Sequence, residues 1–113
     1  MNLTGLVERL DLKVFSGPER LSRTVGGGYA GDLLSDVIAH GRKDHVWITI
    51  QVHPNIVAVA VLKDLAAIVL ANGREPAEET VARAKKEGVP LLGSALPAFE
   101  IAGRLHGLGL RGD

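Results

Sequence analysis

The sequence predicts an α/β fold: a three-layer domain with a mainly parallel, four-stranded sheet flanked by helices. Three observations lead there. The stretch 46–73, VWITIQVHPNIVAVAVLKDLAAIVLANG, is almost continuously apolar and reads as strand, buried helix, strand. Strand-like and helix-like segments alternate through most of the chain with short connections, the pattern of parallel strands with crossover helices. At 113 residues the chain has room for one core, so residues 1–113 are read as a single domain.

Residues 3–10 carry Leu3, Leu6, Val7 and Leu10 at helical spacing. Residues 12–15 read as a first strand, stopped by Ser16-Gly17-Pro18. Residues 19–31 read as a glycine-rich loop. Asp32 is placed to cap a helix with Leu33, Leu34, Val37 and Ile38 as its apolar stripe, and Gly41 ends it. Residues 46–52 alternate Val46, Ile48, Ile50 and Val52 against Trp47, Thr49 and Gln51, the period of a strand.

Pro54 lacks a backbone donor, which the first turn of a helix tolerates and a central strand does not. Residues 56–65 are apolar nearly all round. They fit a buried helix, with a β-branched strand as the competing reading. Residues 67–71 form a short strand closed by the Asn72-Gly73 turn. Pro76 opens a helix with Glu78 and Glu79 early and Lys85 and Lys86 late, an order that complements the helix dipole, and Gly88 ends it. A strand over 89–93 and a helix from Pro97 complete the series, and the tail after the helix reads as loose.

Composition narrows the function. Thirteen basic and thirteen acidic residues cancel, which argues against a broad grip on nucleic acid or on acidic membranes. Without cysteine there is no disulfide, thiolate metal site or cysteine nucleophile. The N-terminal residues are charged where an export signal needs an apolar run, and polar residues interrupt 46–71 too often for a membrane span. The expectation is a cytoplasmic protein. His40, His45, His53 and His106 are scattered and lack metal-ligand spacing, so no metal and no cofactor is predicted. Neither a Walker-type loop nor a nucleophile elbow is present, so no catalytic residue is predicted.

Two stretches remain as candidate sites. Gly26, Gly28 and Gly31 formally match the G-x-G-x-x-G spacing of a dinucleotide loop. Ten residues, 16–25, separate the run from the preceding strand, and Asp32 puts a carboxylate where a pyrophosphate would sit. The run reads instead as a loop that binds a smaller anion through Arg23, Thr24 and the amides of Gly26, Gly27 and Gly28, or as a structural turn or dimer contact. Gln51, His53, Asn72 and Ser94 fall at the carboxyl ends of successive strands, where open α/β sheets place ligands. Ser16 is expected at the same edge. The bland alternative is that His53 caps its helix and Asn72 serves its turn.

The segments GGYAGDLLSDVI, VWITIQVHPNIVAVAVLKDLAAIVLANGREP and GVPLLGSALPAFEIAGRL closely resemble the DRTGG domain family, over residues 5–110. The family's naming motif stands here as Ser22-Arg23-Thr24-Val25-Gly26-Gly27, with Ser for Asp and an inserted Val. Members look like small α/β domains. They occur alone, in regulatory regions of some pyrophosphatases beside adenine-nucleotide-binding modules, and in long phosphate acetyltransferases. The N-terminal domain of the kinase acting on the histidine-containing phosphocarrier protein is similar in fold. The resemblance implies a non-catalytic regulatory or dimerisation role.

Two classes of function follow. One is a homodimeric regulatory module that holds a small anionic ligand, such as a nucleotide. The other is a structural or protein-interaction domain without ligand, or an accessory of a phosphotransfer or acyl-phosphate enzyme system.

Overall fold

In the computed structural model, which describes residues 1–113, the helices are α1 (Leu3–Leu10), α2 (Leu34–His40), α3 (Asn55–Leu62), α4 (Glu78–Glu87) and α5 (Ala98–Gly107). The strands are β1 (Lys13–Ser16), β2 (Gly27–Ala30), β3 (His45–Thr49), β4 (Ala67–Leu70) and β5 (Leu91–Gly93), and a 3-10 turn spans Pro18–Arg20. The sheet therefore has five strands, not four, in the order β1-β5-β4-β3-β2. The four strands β2 to β5 are parallel, and β1 joins β5 antiparallel, with Lys13 opposite Gly93.

Two apolar layers cover the sheet. On one face Val46, Ile48, Val69 and Leu92 pack against Leu3 and Leu6 of α1 and Ile101 and Leu105 of α5. On the other Trp47, Ile68, Leu70 and Leu91 pack against Val37 of α2, Ile56, Val57, Val59 and Ala60 of α3, and Ala84 of α4. Every residue of β3 and β4 is buried, as the apolar runs of the sequence require. The helix expected over 56–65 is present as Asn55–Leu62, which decides against the strand alternative. Gly88 stops α4 at φ 70° in the left-handed region that glycine enters without strain.

Three further expectations are corrected. The glycine-rich stretch is not all loop: Gly27–Ala30 is the edge strand β2, paired with Gly27 opposite His45 and Ala30 opposite Ile48. Asp32 does not cap α2, whose N-cap is Leu33. Because β2 ends before β3 does, the last groups of β3 need another partner, and Asp32 Oδ1 accepts from Thr49 Oγ1 at 2.8 Å and Ile50 N at 2.9 Å. The apolar stripe of α2 is narrower than expected: Val37 is buried and Leu34 packs beside it, while Leu33 and Ile38 are exposed.

The tail is also not loose. Leu108 and Leu110 pack on the core, and the Gly28 N–H donates to the Arg111 carbonyl at 3.0 Å.

That last contact explains a glycine. A Cβ on Gly27 would lie 2.4 Å from the Arg111 oxygen and 3.0 Å from His45 Nε2. Gly27→Ala is expected to lower stability by about 1–3 kcal/mol through overpacking, a Tm loss of roughly 4–12 °C. Gly103, exposed in α5 with nothing within 4 Å of its would-be Cβ, is the control: Gly103→Ala should raise Tm slightly. Equal behaviour of the two variants in a melting experiment would refute the steric role of Gly27.

Candidate functional site

The fold sorts the predicted residues onto opposite edges of the sheet. Arg23 lies at the amino edge, where the chain enters β3 and β4. Its guanidinium donates to Asp44 Oδ1 from Nε at 3.1 Å and Nη2 at 2.9 Å, and Nη2 also donates to the Asp64 carbonyl at 2.6 Å and Oδ1 at 3.0 Å. Asp44 and Asp64 both adopt the left-handed conformation, at φ 67° and 52°. One arginine thus clamps the two tight turns that launch the central strands, and both carboxylates already neutralise it.

Thr24 is exposed and forms an isolated bridge with Asn2. The amide of Gly26 donates to the Asp44 carbonyl at 2.9 Å, and that of Gly28 to Arg111. Of the glycine-run amides named as anion donors, these two are committed to the chain's own carbonyls.

Gln51, His53, Asn72 and Ser94 do lie on the carboxyl side of the sheet, but in two groups. Gln51 Nε2 donates to the Asp32 carbonyl at 3.1 Å, and His53 Nδ1 accepts from the Asn55 N–H at 3.1 Å in the turn that leads into α3, whose N-cap is Pro54. Asn72 turns at φ 60° after β4; its N–H donates to the Leu96 carbonyl, and the Gly73 N–H donates to the Ser94 carbonyl at 2.8 Å. Ser94 Oγ accepts from the Leu96 N–H at 3.0 Å while its own hydroxyl hydrogen has no acceptor in the chain. Ser16, expected at this edge, lies at the other, because antiparallel β1 ends beside the start of β5. There its Oγ donates to the Val89 carbonyl at 2.8 Å and accepts from the Leu91 N–H at 3.2 Å.

Only the Asn72–Ser94 side opens into a cavity. It measures about 250 Å³ and is lined by Ser94, by Gly73 and Arg74 of the β4–α4 loop, and by Lys13 and Phe15 of β1. Arg74 forms no ion pair. Lys13 lies over the Phe15 ring at 4.8 Å and 3.8 Å from Glu75. Arg74, Lys13 and Phe15 were missed as site residues. The available signal was the Gly-Arg-Glu-Pro run directly after the Asn72 turn.

A second cavity, about 160 Å³ and mainly apolar, lies between β2, α5 and the tail, lined in part by Gly28, Ile48, Leu105, His106 and Arg111. No three metal-binding side chains converge. No helix is long and apolar enough to cross a membrane.

His45 is 2% exposed beneath Gly27, and its Nδ1 accepts from the Arg42 N–H at 3.3 Å. Burial pushes its pKa below the ordinary 6.5, the Arg42 charge adds to that, and Asp113 opposes it.

No family model matches the chain, and no curated protein does. A solved structure does match: the CBS and DRTGG domains of the regulatory region of Clostridium perfringens pyrophosphatase, complexed with the activator diadenosine tetraphosphate. The similarity has TM-score 0.76 at 18% identity and covers 99% of this chain and 48% of that one. The fold is DRTGG-like. This chain spans about half of that neighbour, and at such identity the likeness is one of architecture.

Two predictions follow within this DRTGG-like frame. Arg23→Ala should destabilise the fold by about 1–2 kcal/mol, since charged hydrogen bonds to half-exposed partners are lost. An unchanged Tm would show that the clamp contributes nothing. The unfolded state binds a proton at His45 more readily than the folded state, so stability should fall as pH drops through 6.5 and stay flat above. His45→Gln should flatten that limb of the stability–pH curve; a limb that persists unchanged would assign it elsewhere.

Proposed function

We propose that this chain is a non-catalytic regulatory module that binds a small anionic ligand of the nucleotide class at the carboxyl edge of its sheet. The observation that supports the reading is the fold shared along 99% of the chain with a pyrophosphatase regulatory region complexed with diadenosine tetraphosphate. The cavity beside Ser94, with the unpaired Arg74 at its wall, gives this chain a place for such a ligand. Arg23, committed to Asp44 and Asp64, acts in this reading as a structural residue.

The module acts as a homodimer, and one surface favours that. Along α3, Ala58, Val61 and Leu62 turn outward, with Leu62 66% exposed, and with Arg83 and Glu87 of α4 they line a groove. A groove carrying one cation and one anion is self-complementary about a two-fold axis, since each copy's Arg83 meets the other's Glu87. The same surface is the main support for the second reading, an interaction domain without ligand.

Melting curves against adenine and guanine nucleotides, diadenosine tetraphosphate, phosphate, pyrophosphate and acetyl phosphate separate the readings. A ligand at a hundred times its Kd adds about 2.7 kcal/mol, and one or more nucleotides should do so. A flat panel would defeat the ligand reading. Leu62→Glu should turn a dimer into a monomer in analytical ultracentrifugation without altering the ligand response. A wild-type protein that sediments as a monomer at high concentration would defeat the dimer.

A further inference from the structure

β4 and β5 are neighbours in the sheet, yet the chain leaves them toward opposite faces. After β4 it runs into α4, whose Ala84 packs in the layer of α2 and α3; after β5 it runs into α5, whose Ile101 and Leu105 pack in the layer of α1. For the other parallel neighbours, β2 with β3 and β3 with β4, the following helices lie on one face. The β4–β5 boundary is therefore the topological switch point of the parallel run. Loops that diverge there leave a crevice outside the carboxyl ends of the strands, where open α/β sheets bind ligands. The cavity of about 250 Å³ lies there, and β1 closes its third side with Lys13 opposite Gly93.

We propose that this crevice is the binding site for a mononucleotide-sized organic phosphate, held by Arg74, Ser94 and Phe15. The inference rests on the ligand reading above and names its site. Arg74 has no carboxylate partner and presents a fork suited to phosphate oxygens. Ser94, 6% exposed, has a hydroxyl hydrogen that no protein oxygen accepts. The Phe15 ring is an apolar wall for a planar group, and it reaches that position because Gly93 carries no side chain: a Cβ there would lie 2.7 Å from the ring.

Asp11 and Glu75 also line the crevice, balancing the charges of Lys13 and Arg74. Long-range attraction is thereby cancelled, so a bare polyanion gains little, while carboxylates can accept from ribose hydroxyls or an exocyclic amine. The volume lies just below the ~300–1,000 Å³ of sites for drug-sized ligands, which suits one nucleotide unit.

The test is titration of the full 113-residue chain with AMP and, separately, inorganic phosphate, followed by amide chemical shifts and by calorimetry. AMP should move the amides of Gly73, Arg74, Ser94 and Ala95. Arg74→Gln should weaken AMP by about tenfold or more, the loss of a charge-assisted contact, and Ser94→Ala by roughly threefold. Phosphate alone should bind at least about tenfold more weakly than AMP if the Phe15 wall contributes, and Lys86→Gln, on the exposed surface of α4 away from both the crevice and the α3 groove, should leave AMP binding unchanged. Arg74 is exposed, so its variant should keep the wild-type Tm.

Shifts centred on Gln51 and His53, or on β2, would overturn the switch-point site while leaving the ligand reading intact. AMP that binds wild type and Arg74→Gln equally would do the same. Silence toward AMP while another panel compound raises Tm would refute the mononucleotide assignment, and silence toward all would remove both.

Discussion

Burial of β3 and β4 on both faces is the constraint from which the rest of the architecture follows. Their nine residues are all buried, so neither face of the sheet centre can be left to water. Covering both faces takes two helical layers, and parallel neighbours take long crossovers that supply those helices. α2, α3 and α4 arise as the crossovers of the parallel run and necessarily share one face, because such connections have one hand. The other face must then be covered by α1 and α5, elements outside the crossovers. A chain that supplies α5 from the end of β5 has to change faces there. The crevice between the β4 and β5 loops is thus a consequence of closing the third layer.

That history explains what could be read from the sequence. α3 was legible because an all-apolar segment behind a proline has few alternatives, and α4 because its charge order and terminal glycine are local signals. β2 was not. A strand that begins Gly-Gly lacks the side chains that give a strand its periodicity, and its place is specified by its neighbours. Gly27 must be bare to admit the Arg111 carbonyl and the His45 ring. The tail that looked loose and the strand that looked like a loop are one feature, each hidden by the absence of the other.

The sites divide in the same way. Spacing along the chain places Gln51, Asn72 and Ser94 at strand ends, and that much was legible. Which ends adjoin a crevice depends on strand order and on the faces taken by the helices, and neither is encoded locally. The error over Ser16 has the same root: a strand's direction belongs to its pairing, and Lys13–Ser16 pairs antiparallel. Arg74 sits one residue beyond the turn that was recognised, and only the switch point gives it a cavity to face.

Arg23 shows why a suggestive residue can be spoken for by the fold. Asp44 and Asp64 take left-handed backbone conformations, which cost a non-glycine residue about 1–2 kcal/mol and are best tolerated by Asp and Asn. Those turns aim the chain into β3 and β4, so their geometry cannot relax without disturbing the buried strands. Arg23 holds both carboxylates and one carbonyl from a segment that precedes either turn by many residues. A ligand anion at this position would have to displace Asp44 and Asp64 from their arginine, leaving two carboxylates unpaired beside it. The electrostatics oppose that exchange. At Arg74 no such displacement is needed, since no carboxylate pairs with it; in the proposed reading the amino edge fixes the strands and the carboxyl edge is the one free to receive a ligand.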